Sequence, residues 1–477
     1  MIILAPIAGC LNDSEGETQS SPPEVEIDIA NNESDTNLTN NTQDTGNVST
    51  PDTGNMGNNS DTSDNDNTTQ ERTYFVEYVN DSLVEQDALI LIAANGGEYI
   101  RLINKEGHLV HEWLTPNRLG NDFQLLPNGD ILALFKPDYN LTSMTFGGFG
   151  GVVKIIGPNS EVKWSFDTFA NDTAVAHHDV EMLPNGNVLV MVWEHLNCTI
   201  AAEMGIDCHD ENKDGLAYES LYEINITDNS IVWQWRSVDH TVQDLHPDKA
   251  NYGNVTTQNH KIDFNFNTNH SKHGVSGDIM HANGIDYDEE NNLIYLSVNF
   301  YNEIWVIDHS TNLSEAAGST GGNYGVGGDL VYRFGNSQAY KSNESVIFNK
   351  IHYPNLIEDP SKSGYGNLLG FSNSGIASNI SAVFEISLPV SSYPTMTPPE
   401  VIWSFSNESL YSRILSGAER GLNNNTYISE GDYGVWEITD NGDVAWKLSY
   451  GPTWRAYVHY YGEPEIDNLI LNREIDG

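Results

Sequence analysis

The sequence predicts an all-β fold, a six-bladed β-propeller of four-stranded antiparallel blades over residues 73–477, preceded by a disordered tether. Three observations predict it. A short strand centred on an aromatic residue recurs six times. Most copies follow another strand and a hairpin signal. The spacing of the copies is uneven, which a solenoid does not tolerate but a propeller absorbs in its loops.

The recurring strand reads Leu109-Val-His-Glu-Trp113, Val162-Lys-Trp164-Ser-Phe166 and Ile231-Val-Trp233-Gln-Trp235. It returns as Leu330-Val-Tyr332-Arg-Phe334, Val401-Ile-Trp403-Ser-Phe405 and Val444-Ala-Trp446-Lys-Leu448. Its alternation suits half-buried strands. Just upstream lie strands such as Ser220-Leu-Tyr-Glu-Ile224, Ala382-Val-Phe-Glu-Ile386 and Gly434-Val-Trp-Glu-Ile438. Earlier still come hairpin signals, among them Leu126-Pro-Asn-Gly-Asp130 and Leu183-Pro-Asn-Gly-Asn187. The first unit lacks an innermost strand, which Arg455-Ala-Tyr-Val-His-Tyr460 is placed to supply, closing the ring between the two ends of the chain.

Ahead of the repeats, residues 1–10 end in Ile7-Ala8-Gly9-Cys10, the pattern of a lipobox whose Cys10 is acylated after cleavage. Residues 11–72 are nearly all Asn, Asp, Ser, Thr, Glu, Gly and Pro, without apolar periodicity, and read as the disordered tether. Sequons at Asn32, Asn37, Asn47 and Asn67 agree with export. The expectation is an exported protein held on the outer face of the cell membrane, at the cell surface or in the periplasm, and touching the membrane only through its lipid. Cys198 and Cys208 are left to pair as a disulfide, which suits an oxidising compartment.

The chain has 477 residues with 21 Lys and Arg against 68 Asp and Glu, a net charge of −47. Such a surface repels nucleic acid and acidic lipid headgroups, so neither is expected as a partner. It also makes any basic residue near a site conspicuous.

In a propeller the first strand of each blade lines the central channel, and its start lies at one rim. At those starts stand Asn121-Asp122, His177-His178-Asp179, His281-Ala-Asn283, His352-Tyr353 and Ser416-Gly-Ala-Glu-Arg420. Clustered imidazoles have three readings: acid–base or nucleophilic work on a bound group, a transition-metal site, or hydrogen bonding between blades. Arg420 points toward an anionic substrate group, because its guanidinium grips oxyanions in a fork. Asp210-Glu-Asn212-Lys-Asp214-Gly215 gathers oxygens as a structural Ca²⁺ loop does, and reads equally well as a solvated acidic turn. Its twelfth position is Leu221, which excludes a standard EF-hand.

The strings Ala176-His-His-Asp-Val-Glu-Met-Leu-Pro-Asn-Gly-Asn-Val-Leu189, Met280-His-Ala-Asn-Gly-Ile-Asp-Tyr287, Gly328-Asp-Leu-Val-Tyr-Arg-Phe-Gly-Asn336 and Ser416-Gly-Ala-Glu-Arg420 resemble the arylsulfate sulfotransferase family. The resemblance runs over about residues 88–460. It implies a six-bladed propeller that moves a sulfuryl group from an aryl sulfate to a phenol through a sulfated histidine, with no nucleotide cofactor. It also implies that His281 and His352 are site residues. Two departures from the family pattern stand out: no His lies between Ser416 and Glu430, and no Arg near Phe371-Ser-Asn-Ser374. His178 is then the candidate nucleophile, Arg420 the charge partner, and Asp179, Asn283 and Tyr353 the expected substrate contacts. The alternative is a non-catalytic propeller that displays a binding surface from the cell envelope.

Overall fold

The computed structural model describes residues 73–169, 173–209, 215–268, 277–343, 346–377 and 379–476. Cys10, the tether with its sequons, and Asp210, Asn212 and Asp214 lie outside these residues.

Six antiparallel sheets of four or five strands make the blades. From the channel outward, blade 1 is Thr453–Tyr460, Ala88–Ala94, Tyr99–Asn104 and Leu109–Leu114. Blade 2 is Leu119–Leu125, Ile131–Phe135, Val152–Ile156 and Val162–Asp167. Blade 3 is Ala174–Met182, Val188–Leu196, Leu216–Ile224 and Ile231–Arg236. Blade 4 is Ala282–Asp288, Leu293–Val298, Glu303–Asp308 and Tyr332–Phe334. Blade 5 is Ile351–Leu356, Asn367–Ala377, Ile380–Ser387 and Glu400–Ser406. Blade 6 is Gly417–Arg420, Thr426–Glu430, Gly434–Ile438 and Val444–Ser449.

The ring closes as the sequence suggests. Thr453–Tyr460 pairs with Ala88–Ala94, with Ala88 opposite Tyr460 and Ile92 opposite Ala456. The sequence reading missed a second lock: Phe75–Val79 adds a fifth strand to the outside of blade 6, against Val444–Ser449. Both ends of the propeller segment are thus held by main-chain ladders.

The apolar core lies between blades. One cluster joins Leu91 and Trp113 of blade 1 to Phe123 and Phe135 of blade 2. Another joins Trp235 of blade 3 to Trp305 of blade 4. The recurring aromatic stitches each blade to the next. Trp164 Nε1 donates to Asn229 Oδ1 at 2.7 Å, and Trp233 Nε1 to Thr311 Oγ1 at 3.1 Å. Trp403 Nε1 donates to the Asp440 carbonyl and Trp446 Nε1 to the Lys105 carbonyl, both at 2.9 Å. Tyr332 does the same with its hydroxyl, to the Thr397 carbonyl at 2.8 Å. Each acceptor sits between the third and fourth strands of the following blade. The sixth copy, Trp113, packs in the cluster between blades 1 and 2 with no hydrogen-bond partner for its Nε1 among the described residues, so the repeat bonds across five interfaces and packs across the sixth.

Cys198 and Cys208 form a disulfide, with Cα atoms 5.5 Å apart, in the long connection between the second and third strands of blade 3. A terminal helix, Pro464–Asp476, packs Ile466 and Leu469 against the cluster between blades 1 and 2. No helix among the described residues is long and apolar enough to cross a membrane.

Candidate functional site

Each inner strand of blades 2 to 5 carries a register shift near its start: between Leu119 and Phe123, around Val180–Ala176, between Ala282 and Gly284, and between His352 and Asn355. In two of these bulges, and just before a third, a non-glycine residue takes a left-handed backbone: His178 at φ 57°, Tyr353 at φ 49° and His281 at φ 50°. A bulge re-aims the side chain it carries, and such strain gathers where function needs a set geometry. Here it turns imidazoles into the channel.

His178, His281 and His352 line one cavity of about 760 Å³ at this rim, with Trp454 at its floor. The rings of His178 and His281 meet edge to face at 4.8 Å, and His352 lies 6.5 Å from Trp454. Gly148 completes the wall: its φ is +86°, and a Cβ there would fall 2.1 Å from His178 Nε2. Around the mouth stand Arg118, Lys136, Lys350 and Arg413, and the lining holds no Asp or Glu among the described residues. In a chain with 21 basic and 68 acidic residues, that selection of charge marks an anion site.

The three imidazoles differ in their partners. His281 donates its Nδ1 to Asp278 Oδ2 at 2.5 Å. Burial works against its charge, but the Asp278 carboxylate outweighs burial and raises its pKa. His352 has no carboxylate beside it. Burial first, then the charges of His281 and Arg455, push it down to about 3. His178 is likewise held neutral, by burial and then by His281, and its Nδ1 lies 2.8 Å from Nδ1 of His177.

Beneath the imidazoles Arg455 crosses the channel. Its Nη1 lies 2.7 Å from Asp179 Oδ2 and 3.5 Å from Asp122 Oδ1, its Nη2 donates to the Asn283 carbonyl at 2.7 Å, and its guanidinium stacks over Tyr353 at 4.1 Å. Asp179, Asn283 and Tyr353, expected as substrate contacts, are therefore grouped around this arginine and are absent from the lining of the histidine cavity. Asp179 and Tyr353 border a second cavity, of about 290 Å³, farther along the channel.

Arg420 is also elsewhere. It ends the inner strand of blade 6, and its Nη2 lies 2.5 Å from Glu385 Oε2 of blade 5. Glu385 holds the same place in its blade as Glu223, which pairs with His309 of blade 4, and Glu437, which pairs with Lys105 of blade 1. Arg420 thus belongs to a set of blade-to-blade ion pairs. Arg413, seven residues earlier, reaches the cavity instead.

Sequence reasoning missed Asp278, Glu219, Lys350 and Arg455. Asp278 stands three residues before His281 and Lys350 two before His352, so spacing alone carried a signal for both.

One group among the described residues brings three ligand atoms within metal distance: His459, Glu463 and Glu465, all within 4.8 Å. Its imidazole is pushed up to about 9: burial opposes the charge, and Glu463 and Glu465 more than restore it, so the group is an ion pair. The three cavity imidazoles do not gather as tightly, which disfavours their reading as a metal site.

Residues 122–348 match the model of the arylsulfotransferase (ASST) family, so the resemblance seen in the sequence holds over that segment. No protein of curated function matches the chain. Among solved structures, a putative 6-phosphogluconolactonase from Bacteroides fragilis is 9% identical with a TM-score of 0.40, covering 79% of this chain and 98% of its own. A luciferin-regenerating enzyme is 11% identical with a TM-score of 0.37, covering 82% and 94%. Kuenenia stuttgartiensis hydrazine synthase is 13% identical with a TM-score of 0.35, covering 65% and 70%.

Proposed function

Proceeding from the arylsulfotransferase match over residues 122–348, we propose that this chain transfers a sulfuryl group from an aryl sulfate to a phenol in the histidine cavity, without a nucleotide cofactor. The observation that carries the reading is three imidazoles in one cavity whose lining, among the described residues, holds four cations and no carboxylate.

Protonation assigns the roles. The acceptor nearest His352 Nδ1 is the Lys350 carbonyl, at 3.4 Å. A carbonyl only accepts, so this contact favours a proton on Nδ1 and a lone pair on Nε2, with the Asn373 side chain a further partner of the ring. Asn299 Nδ2 is farther, at 3.5 Å, and donates to the Ile351 carbonyl at 3.0 Å. We therefore take His352 as the nucleophile in place of His178, the first candidate from the sequence. His281, whose pKa Asp278 raises, is the acid.

His352 Nε2 attacks sulfur in line. An N–S bond forms, the S–O(aryl) bond breaks, and its electron pair leaves on the aryl oxygen, which takes the His281 proton. The acceptor phenol then attacks sulfur, gives its proton to His281, and returns the N–S pair to His352. Arg413, Lys350 and their neighbours steer the anion in, as cations do in other transfers of charged groups where positioning and charge carry most of the catalysis.

The test is release of a chromogenic phenol from its sulfate in the presence of a second phenol and no nucleotide. Mass spectrometry of the quenched enzyme should show one SO₃ increment on the peptide holding His352. No turnover over a broad donor panel sinks the enzyme reading in favour of a binding propeller. Turnover with the label on His178 keeps the reaction and overturns the choice of nucleophile.

We further infer export and tethering through a lipid on Cys10, supported by the lipobox pattern and the polar stretch after it. Cys10→Ser should release the protein from the membrane fraction or leave its precursor unprocessed. Unchanged fractionation counts against the anchor.

A further inference from the structure

We propose that Glu219, acting through His177, is a positioning residue that makes His178 present an N–H rather than a lone pair to the cavity. This rests on the sulfuryl-transfer reading for its purpose, though not for its geometry.

Glu219, His177 and His178 form a buried row inside blade 3. The His177 ring lies flat on Trp193, with centroids 3.8 Å apart and planes 5° apart, so it cannot swing freely. Glu219 is oriented just as firmly. Its Oε1 accepts from the Ala282 amide at 2.9 Å and from Trp193 Nε1 at 3.1 Å. That leaves Oε2, which lies 2.9 Å from His177 Nε2. The contact is short but falls outside hydrogen-bond geometry, and neither atom has a hydrogen-bond partner among the described residues, which leaves the two to satisfy each other. At the far side, His177 Nδ1 lies 2.8 Å from His178 Nδ1.

We take each link in this row to hold one proton. Once the proton between Glu219 and His177 is placed, the next link and the free nitrogen of His178 follow. If the carboxyl is protonated it donates to His177 Nε2. His177 then carries its proton on Nδ1 and donates to His178 Nδ1, so His178 carries its own on Nε2. If the carboxyl is ionised every link reverses and His178 shows a lone pair. Burial of all three groups favours the neutral row, since an ionised carboxylate there has no cation of its own. Glu219 is raised well above the usual carboxylate range by burial and then by Asp278. The cavity then offers two donors, on His178 and His281, and one lone pair, on His352. That is the complement needed to hold sulfonate oxygens while one nitrogen attacks.

The experiment is ¹⁵N NMR of the full chain with ring-labelled histidine, the His178 signals being identified by their loss in His178→Asn. The wild type should show His178 protonated at Nε2. Glu219→Gln, whose amide donates at the same place, should keep that tautomer. Glu219→Leu and His177→Phe (which still stacks on Trp193) should mix the tautomers and lower kcat by roughly 10²-fold with KM little changed, and Glu219→Gln should recover the loss, the scale being that of one transition-state donor. A bare Nε2 in the wild type, or a tautomer inverted by Glu219→Gln, overturns the proposal, and the wild-type spectrum decides alone if Glu219→Leu does not fold. The predicted tautomer in a protein that turns over no aryl sulfate leaves the row standing and removes the function. Turnover with no drop in Glu219→Leu does the reverse.

Discussion

Four cations and three imidazoles line one end of the channel, and Asp122, Asp179, Glu181, Asp286, Glu358, Glu419 and Glu465 line the cavity at the other. The same inner strands build both. Glu181 stands three residues after His178, and Asp286 five after His281. Between the two ends Arg455 reaches both Asp122 and Asp179. A net charge of −47 therefore says little about the potential at a given spot. What marks the histidine end is its departure from the composition of the whole chain, because a concave, low-dielectric wall focuses whatever charge lines it.

The largest expected effect would break the chemistry of the histidine end alone. His352→Ala should lower kcat for aryl sulfate transfer by about 10⁴-fold, the order seen when a nucleophile or its partner is lost, with the melting temperature nearly unchanged. If His352→Ala keeps turnover within tenfold, the assignment of roles at this end is wrong.

Arg455→Met would break the partition itself. It leaves Asp122 and Asp179 buried without their cation, and removing one partner of a buried pair costs about 3–5 kcal/mol. Urea unfolding should show that loss, and it should shrink when Asp179→Asn is added. An additive double mutant would mean that Arg455 acts by packing against Tyr353 and Trp454 rather than by charge.

A smaller change sharpens the comparison at the rim. Lys350→Glu with Arg413→Glu should raise KM for an aryl sulfate about tenfold, equivalent to ~1.4 kcal/mol, and weaken the dependence of KM on salt. Glu358→Lys at the other end should leave KM unchanged. Equal responses at both ends would show that overall charge, not the local rim, governs capture.

The fold was legible because its repeat has a physical duty: one aromatic per blade reaches into the next, and that aromatic is visible in sequence. Closure by Arg455–Tyr460 was legible for a related reason, since one blade lacked a strand and the end of the chain had one to spare. Phe75–Val79 was not, because an added outer strand repeats nothing. Within the site, the three histidines were legible by counting from strand starts. Arg420 was misplaced by the same ruler. It stands four residues past Ser416, and at about 3.3 Å per residue it reaches the far end of its strand. Arg118, Lys350 and Arg413 come from connections between strands, where no periodicity fixes direction. Glu219 carries no outward sign, being one alternating residue in a strand whose every position is buried.

The smallest effect concerns the acidic end, where burial and neighbouring carboxylates raise Glu181 to about 8 and Glu358 to about 7. Glu181 Oε2 is buried without a hydrogen-bond partner among the described residues. A carboxyl whose folded pKa exceeds its unfolded value holds its proton more tightly when folded. Stability is then greatest below the unfolded pKa, falls as pH rises above it, and levels off once pH passes the folded pKa. For Glu181 that window runs from the ordinary 4.5 to about 8. Glu181→Gln removes the ionisation and keeps the shape. It should change the melting temperature little at pH 5 and raise it by a few degrees at pH 8, on the order of 1 kcal/mol of stability. The histidine end shifts stability in the same direction with pH, but there the substitution removes a stabilising contact. His281 is raised by Asp278, so its contribution is present at low pH and lost as pH climbs through its folded pKa, and His281→Gln should cost more at pH 5 than at pH 8. Melting curves of both variants across that range test the two ends together. A Glu181→Gln gain that is the same at pH 5 and pH 8 would mean that the carboxylates at the acidic end are ionised throughout, balanced by something other than shared protons.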